Sequence, residues 1–148
     1  MKIKIIDFHP AHLDLMDIRD HEVTEVCVGD YKQKFTVLSK LGVSGTVIYD
    51  GEILCVIGAF DMWKSVCEVW ILPSKAIGRH KLIFARLIKQ QLEALEEVGN
   101  YHRIQVSALD DEFHNKFFTW LGFDRETPNG MKNFTKNKSN YNLWSKTK

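Results

Sequence analysis

Ser65-Val66-Cys67-Glu68-Val69-Trp70-Ile71-Leu72-Pro73 leads into Ser74-Lys75-Ala76-Ile77-Gly78-Arg79-His80 and then into the run from Lys81 to Leu95. The first part is nearly continuous in apolar residues apart from Glu68, the pattern of a central strand covered on both faces. The second part is a short loop with Gly78 and the basic residues Lys75, Arg79 and His80. The third sets Phe84, Leu87, Ile88, Leu92 and Leu95 at helical spacing, with Gly99-Asn100 as its stop. A helix that starts from such a loop offers unpaired N–H groups and a partial positive charge, which suits a phosphate.

Outward from this stretch the period alternates between strand and helix. Thr46 to Tyr49 and Ile53 to Ile57 read as strands joined by Asp50-Gly51, a two-residue hairpin signal. Gly58 and Asp61 predict the next turn, and Val66 to Leu72 the third strand of the meander. Downstream, Tyr101 to Ala108 alternates as a strand, and Asp110 or Asp111 caps a helix from about Glu112 to Leu121. That helix is expected to turn Phe113, Phe117, Trp120 and Leu121 inward and to end at Gly122. Phe123 returns as a strand, Pro128-Asn129-Gly130 is a turn, and Tyr141 to Trp144 supplies a last strand.

Upstream, Lys2 to Asp7 suggests an edge strand. Pro10 opens a helix with Leu13, Met16 and Ile18 on one side, and Tyr31 to Leu41 is a second helix with Gly42 as its C-cap. Between them, Glu22 to Asp30 stays open between helix and strand because of its β-branched residues. The expectation is one α/β (α+β) domain over residues 1–148 in the order β-α-α-β-β-β-α-β-α-β-β.

Composition narrows the class. A chain of 148 residues, 45% hydrophobic and 26% charged, is an ordinary globular protein large enough to bury a core without staples. Its apolar runs are too short for a bilayer, and MKIKIIDFHP has no signal-like apolar core. Cys27, Cys55 and Cys67 are odd in number and lack C-x-x-C spacing, which favours reduced thiols in a cytoplasm over a disulfide framework or zinc site. His9 and His12 lack a third ligand, so no metal is expected. Residues 131–148 carry five lysines and no acid. Lys132 to Lys138 hints at nucleic acid, but a solvated polar hairpin is the preferred reading.

Two stretches resemble the GCN5-related N-acetyltransferase (GNAT) superfamily. Glu68-Val69-Trp70-Ile71-Leu72-Pro73 followed by Lys75-x-x-Gly78-x-His80 is similar to the family's strand, proline and phosphate loop. Phe117-Phe118-Thr119-Trp120-Leu121-Gly122-Phe123 looks like its helix ending in Tyr-x-x-Leu-Gly-Phe. The resemblance covers roughly residues 46–125 and extends to small GNAT-like proteins of tailed bacteriophages, through Glu68-Val69-Trp70 and Arg103-Ile104-Gln105. It implies a mixed, mostly antiparallel central sheet flanked by helices.

The resemblance further implies acetyl-CoA as acyl donor. The main chain of Val69, Trp70 and Ile71 would hold its pantetheine arm, and Ser74, Lys75, Ala76, Ile77, Gly78, Arg79 and His80 its pyrophosphate. Glu68 stands as general base for an amine acceptor, which is a small molecule or a protein, including a host protein. The family's small residue at the end of the loop is replaced by His80, whose Cβ and ring would crowd a phosphate. The family's acid tyrosine is replaced by Phe118, and His114, Tyr101 or Ser107 stands in for it, His114 being one helical turn before Phe118. A homodimer and a place in the host cytoplasm or the virion are compatible with this reading. The alternative is a GNAT-fold phage protein without catalysis, acting as a virion component or a binder of host protein.

Overall fold

Strand ladders order the sheet. The computed structural model describes residues 2–18 and 31–148, so Cys27 and the ambiguous stretch Glu22 to Asp30 lie outside the described residues. Seven strands form one sheet in the order β1-β2-β3-β4-β5-β7-β6. They are β1 (Ile3–Asp7), β2 (Val43–Tyr49), β3 (Glu52–Trp63), β4 (Val66–Pro73), β5 (Arg103–Leu109), β6 (Asp124–Arg125) and β7 (Tyr141–Thr147). The helices are α1 (Tyr31–Lys40), α2 (Lys81–Gly99) and α3 (Glu112–Trp120), with 3-10 turns at Pro10–Leu15 and Lys75–Arg79. This is the expected mixed, mostly antiparallel sheet flanked by helices. Contacts divide the chain into two compact units, Met1–Phe60 with Val69–Phe84, and Asp61–Glu68 with Ala85–Lys148.

In the first unit β1 pairs antiparallel with β2, from Ile3↔Tyr49 to Asp7↔Gly45. Asp50 and Gly51 both take positive φ (52° and 77°), the turn whose twist matches a hairpin, and join β2 to β3. The segment opened by Pro10 is a six-residue 3-10 turn rather than an α-helix. It stops at Leu15 because Met16 is extended and the chain goes on to bridge Ile18 to Ser74. Leu13, Ile18, Phe35, Val56, Trp70 and Leu72 close the core, with the Phe35 and Trp70 rings 5.4 Å apart.

Two glycines serve a purpose other than the expected one. The strand does not turn at Gly58 and Asp61; β3 continues to Trp63, and the turn falls at Ser65, with φ 66°. Gly58 is there because a Cβ would overlap the indole of Trp70. Gly42 is not among the glycines of positive φ and so is no left-handed cap; a Cβ on it would overlap the carbonyl of Ala59.

In the second unit β4 contributes Val66, Cys67 and Glu68 to a parallel ladder with Arg103, Ile104 and Gln105 of β5. β7 pairs antiparallel with the whole of β5, and β6 with β7. From Ala85 on, helix α2 buries Leu87, Ile88 and Leu92 at the expected helical spacing, and Asn100 ends it at φ 50°. Asp111 caps α3 by accepting from the His114 N–H. Gly122 at φ 94° ends α3, with Phe123 N–H donating to Phe118 and Gly122 N–H to Thr119.

The phase of α3 differs from the expected one. Phe113 and Trp120 are about half exposed (47% and 48%), and the covered stripe is His114, Phe118 and Leu121. Positions i, i+4 and i+7 share a helix face, and the aromatic positions 113 and 120 fall outside it. Phe118 stacks on Trp144 at 5.8 Å and meets Phe123 edge-on at 5.7 Å. The exposed Trp120 face is covered in part by the Lys89 ammonium, 4.8 Å from its centroid. Among the described residues no helix is long and apolar enough to cross a membrane.

An ion pair ties β5 to the segment after β6. The Arg103 guanidinium binds Glu126 through both terminal nitrogens, at 2.6 and 2.8 Å, and Ser145 Oγ donates to the same carboxylate at 2.6 Å. These hydrogen bonds, Arg103 first and Ser145 second, hold the Glu126 carboxyl well below its ordinary value, at about 2. The same bond raises the Arg103 guanidinium further.

Two measurements check this packing. Gly58→Ala forces the Trp70 indole to move and is expected to cost about 1–3 kcal/mol in a urea titration; an unchanged midpoint would contradict the close contact. A lowered carboxyl value means that the stability from Glu126 is complete above pH 4.5 and is lost as pH falls toward about 2. Between pH 5 and pH 2 the wild-type Tm should therefore fall more than that of Glu126→Gln.

Candidate active site

Ser74 anchors the loop after β4. It is buried, its Oγ donates to the Ile53 carbonyl at 2.7 Å, and its N–H donates to Leu54 at 2.8 Å. The loop amides are largely used within the first unit. Lys75 N–H donates to Asp17, Ala76 N–H to Ser74 Oγ, Ile77 N–H to Ser74 and His80 N–H to Ile77. The stretch is therefore a wound 3-10 turn rather than an open nest. A Cβ at Gly78 would meet nothing within 4 Å, so space is open there.

His80 precedes α2, and its carbonyl takes the first helical bond, from Phe84 N–H at 2.9 Å. The amides of Lys81, Leu82 and Ile83 form the first turn, the one that lacks partners inside a helix. The His80 ring packs edge-on against Tyr49 at 4.9 Å, with Nε2 3.5 Å from Glu52. The loop cations are similarly matched: Arg79 pairs with Glu52, and Lys75 lies 3.6 Å from Asp17. Lys81 is exposed at the helix start. On β4, Val69 and Ile71 are half-buried and Trp70 is buried, with no hydrogen-bond partner for its Nε1 among the described residues.

The second unit holds Glu68. It is half-buried, stands opposite Gln105 in the parallel ladder, and accepts from Gln105 Nε2 at 3.0 Å. Gln105 Oε1 in turn accepts from Arg103 Nε at 2.9 Å. Gln105 is also in register with Ser145 of β7, so Glu68, Gln105 and Ser145 form a polar row across three strands. The sequence reading names Arg103 and Gln105 only as part of a resemblance, with no role at the site, and does not single out Glu126 or Ser145. Its signal was the alternation of β5, which sets Arg103, Gln105 and Ser107 opposite the buried Ile104, Val106 and Ala108.

Of the acid candidates, His114 holds Asp111 through Nδ1 at 2.6 Å in the first turn of α3. Tyr101 donates its hydroxyl to Asp61 at 2.5 Å, a bond that raises its phenol to about 12 and makes it a reluctant proton donor. Ser107 is half-buried on the face of β5 shared with Gln105. Cys67, next to Glu68, is buried; burial first, then the charges of Asp61 and Glu68, push its thiol up to about 12. Cys55 is buried and also raised by burial. His9 and His12 are engaged locally, His9 accepting from Ala11 N–H and His12 Nδ1 lying 2.8 Å from Thr46 Oγ1.

No protein-family model and no curated protein sequence matches the chain. Solved structures do. A GNAT-family acetyltransferase from Bacillus anthracis superposes with TM-score 0.72 at 13% identity, over 99% of this chain and 95% of the other. The ribosomal-protein-S18-alanine N-acetyltransferase from Escherichia coli also gives TM-score 0.72 at 13% identity, over 99% and 94%. An aminoglycoside acetyltransferase in complex with coenzyme A gives 0.67 at 15% identity, over 99% and 95%. The chain therefore has the fold of the GCN5-related N-acetyltransferases.

Proposed function

We propose that the protein transfers an acetyl group from acetyl-CoA to a primary amine, with Glu68 as general base. The observation that carries this reading is Glu68 itself: a carboxylate on β4, directly before Val69, Trp70 and Ile71, in a chain of this fold. When bound, acetyl-CoA supplies an activated thioester carbonyl. The main chain of Val69 to Ile71 would hold the pantetheine arm. The amides of Lys81, Leu82 and Ile83 and the open side of Gly78 suit the pyrophosphate better than the occupied amides of Ser74 to Ile77. Lys81 adds charge at the same helix end.

Glu68 takes the proton that the acceptor ammonium must lose before its nitrogen attacks. The bond formed is N–C, the bond broken is C–S, and the electron pair leaves on sulfur. A thiolate with pKa about 8.5 leaves without a strong acid, so Phe118 in the acid position does not forbid turnover. The acceptors named for similar structures, an aminoglycoside and an alanine of ribosomal protein S18, make a primary amine the first class to test. Host cytoplasm, phage origin and a host-protein acceptor rest on the sequence resemblance. A homodimer would use β1, an edge strand that exposes Ile3, Ile5 and Ile6.

A second reading is favoured by the loop. Its Lys75 and Arg79 are matched by Asp17 and Glu52, which leaves less charge for a ligand. On that reading the protein is a GNAT-fold virion component or host-protein binder without catalysis.

Thermal shift separates the two. Acetyl-CoA at a hundred times its dissociation constant adds about 2.7 kcal/mol, a rise in Tm of roughly 5–10 °C for a chain of this size. Glu68→Gln should keep that shift and lower kcat for acetylation of kanamycin or an alanine-led peptide about a hundredfold, leaving a measurable remainder. No shift at millimolar acetyl-CoA would favour the second reading.

A further inference from the structure

The polar row in the second unit has a direction. Arg103 Nε is a donor only, so the Gln105 oxygen must face it. That fixes the amide, and its NH2 is left to face Glu68, which accepts at 3.0 Å. Without Arg103 the amide would be free to flip and present its oxygen to the carboxylate, which repels it. Arg103 is itself fixed, because both terminal nitrogens are committed to Glu126, and Glu126 is held in turn by Ser145. Ser145 is buried on β7, in register with Gln105. The chain of donors thus runs Ser145 to Glu126, Arg103 to Glu126 and to Gln105, and Gln105 to Glu68.

We propose that Gln105, oriented by Arg103, is a positioning residue that holds the Glu68 carboxylate in one rotamer for proton abstraction. The proposal rests on the reading of Glu68 as base. A carboxylate on a strand has two free torsions before its terminal one, and a base displaced by even an ångström loses much of its effect. One amide donor to one oxygen restricts those torsions and leaves Glu68 Oε2 for the acceptor proton. Gln105 itself gives up no proton and touches no reacting atom.

Arg103→Lys is the most informative variant. Lysine can still pair with Glu126 but cannot also hold the Gln105 oxygen, because it lacks the rigid fork. In NMR of the full chain, the Gln105 side-chain amide signals should move with pH in wild type. They should lose that movement in Glu68→Gln, and should broaden or shift in Arg103→Lys. Signals unchanged in both variants would overturn the proposal whatever the activity.

Acetylation of kanamycin and of an alanine-led hexapeptide gives the second arm. Gln105→Leu and Arg103→Lys should each lower kcat about tenfold or more with little change in KM. The acid limb of their rate profiles should move, and neither should lower kcat further in the Glu68→Gln background. Equal, additive losses in that background would mark the row as a sheet staple and overturn positioning. If Glu68→Gln keeps full kcat, the reading of Glu68 as base fails, and positioning fails with it while the amide signals still report the row. If neither amine is acetylated and acetyl-CoA gives no thermal shift, the acetyltransferase reading fails, and the row is structural.

Discussion

The parallel ladder Val66–Arg103, Cys67–Ile104, Glu68–Gln105 is the constraint on which the rest of the site depends. Parallel neighbours cannot be joined by a hairpin and need a long crossover, which here is supplied by the run through α2. Register matters as much as pairing. Strand side chains alternate between faces, so a slip by one residue would move Glu68 to the covered face and bring Cys67 to the polar row. The buried Cys67 and Ile104 on one side, and the linked Glu68 and Gln105 on the other, hold the register from both faces.

Electrostatics in each unit follow the same economy: a cation meets a carboxylate from a neighbouring segment. In the first unit Arg79 and His80 lie against Glu52 of β3. In the second Arg103 lies on Glu126, and Lys146 on Glu96 at 2.7 Å. Exposed pairs of this kind contribute little singly. The two-pronged Arg103–Glu126 pair differs because Ser145 and Gln105 extend it into a network, where geometry is set jointly.

Much of the fold was legible because its signals were local. Asp50-Gly51 specified a hairpin through backbone conformation alone, and Phe84, Leu87, Ile88 and Leu92 specified α2 through spacing alone. The features that misled were those whose reason lies elsewhere in the chain. Gly58 reads as a turn until Trp70 is seen lying on it, and Gly42 as a cap until the Ala59 carbonyl is seen against it. The run Phe113, Phe117, Phe118, Trp120 fits more than one helix phase, and the Phe118–Trp144 stack selects among them. At the site, Glu68 stood out as the lone charge in an apolar strand. Gln105 did not, because a glutamine on an alternating strand is ordinary until its partner across the ladder is known.

Cys67 adds a consequence for how an acyl group could travel. A nucleophile adjacent in sequence to the carboxylate proposed as base would invite capture of the acyl group as a protein thioester, the first half of a ping-pong cycle. The thiolate is the species that would do this, and a thiol pushed up to about 12 holds almost none of it near neutrality. Burial of the side chain closes the same path sterically. On the proposed reading, an acyl group brought to this strand would therefore pass to the amine without a stop on Cys67.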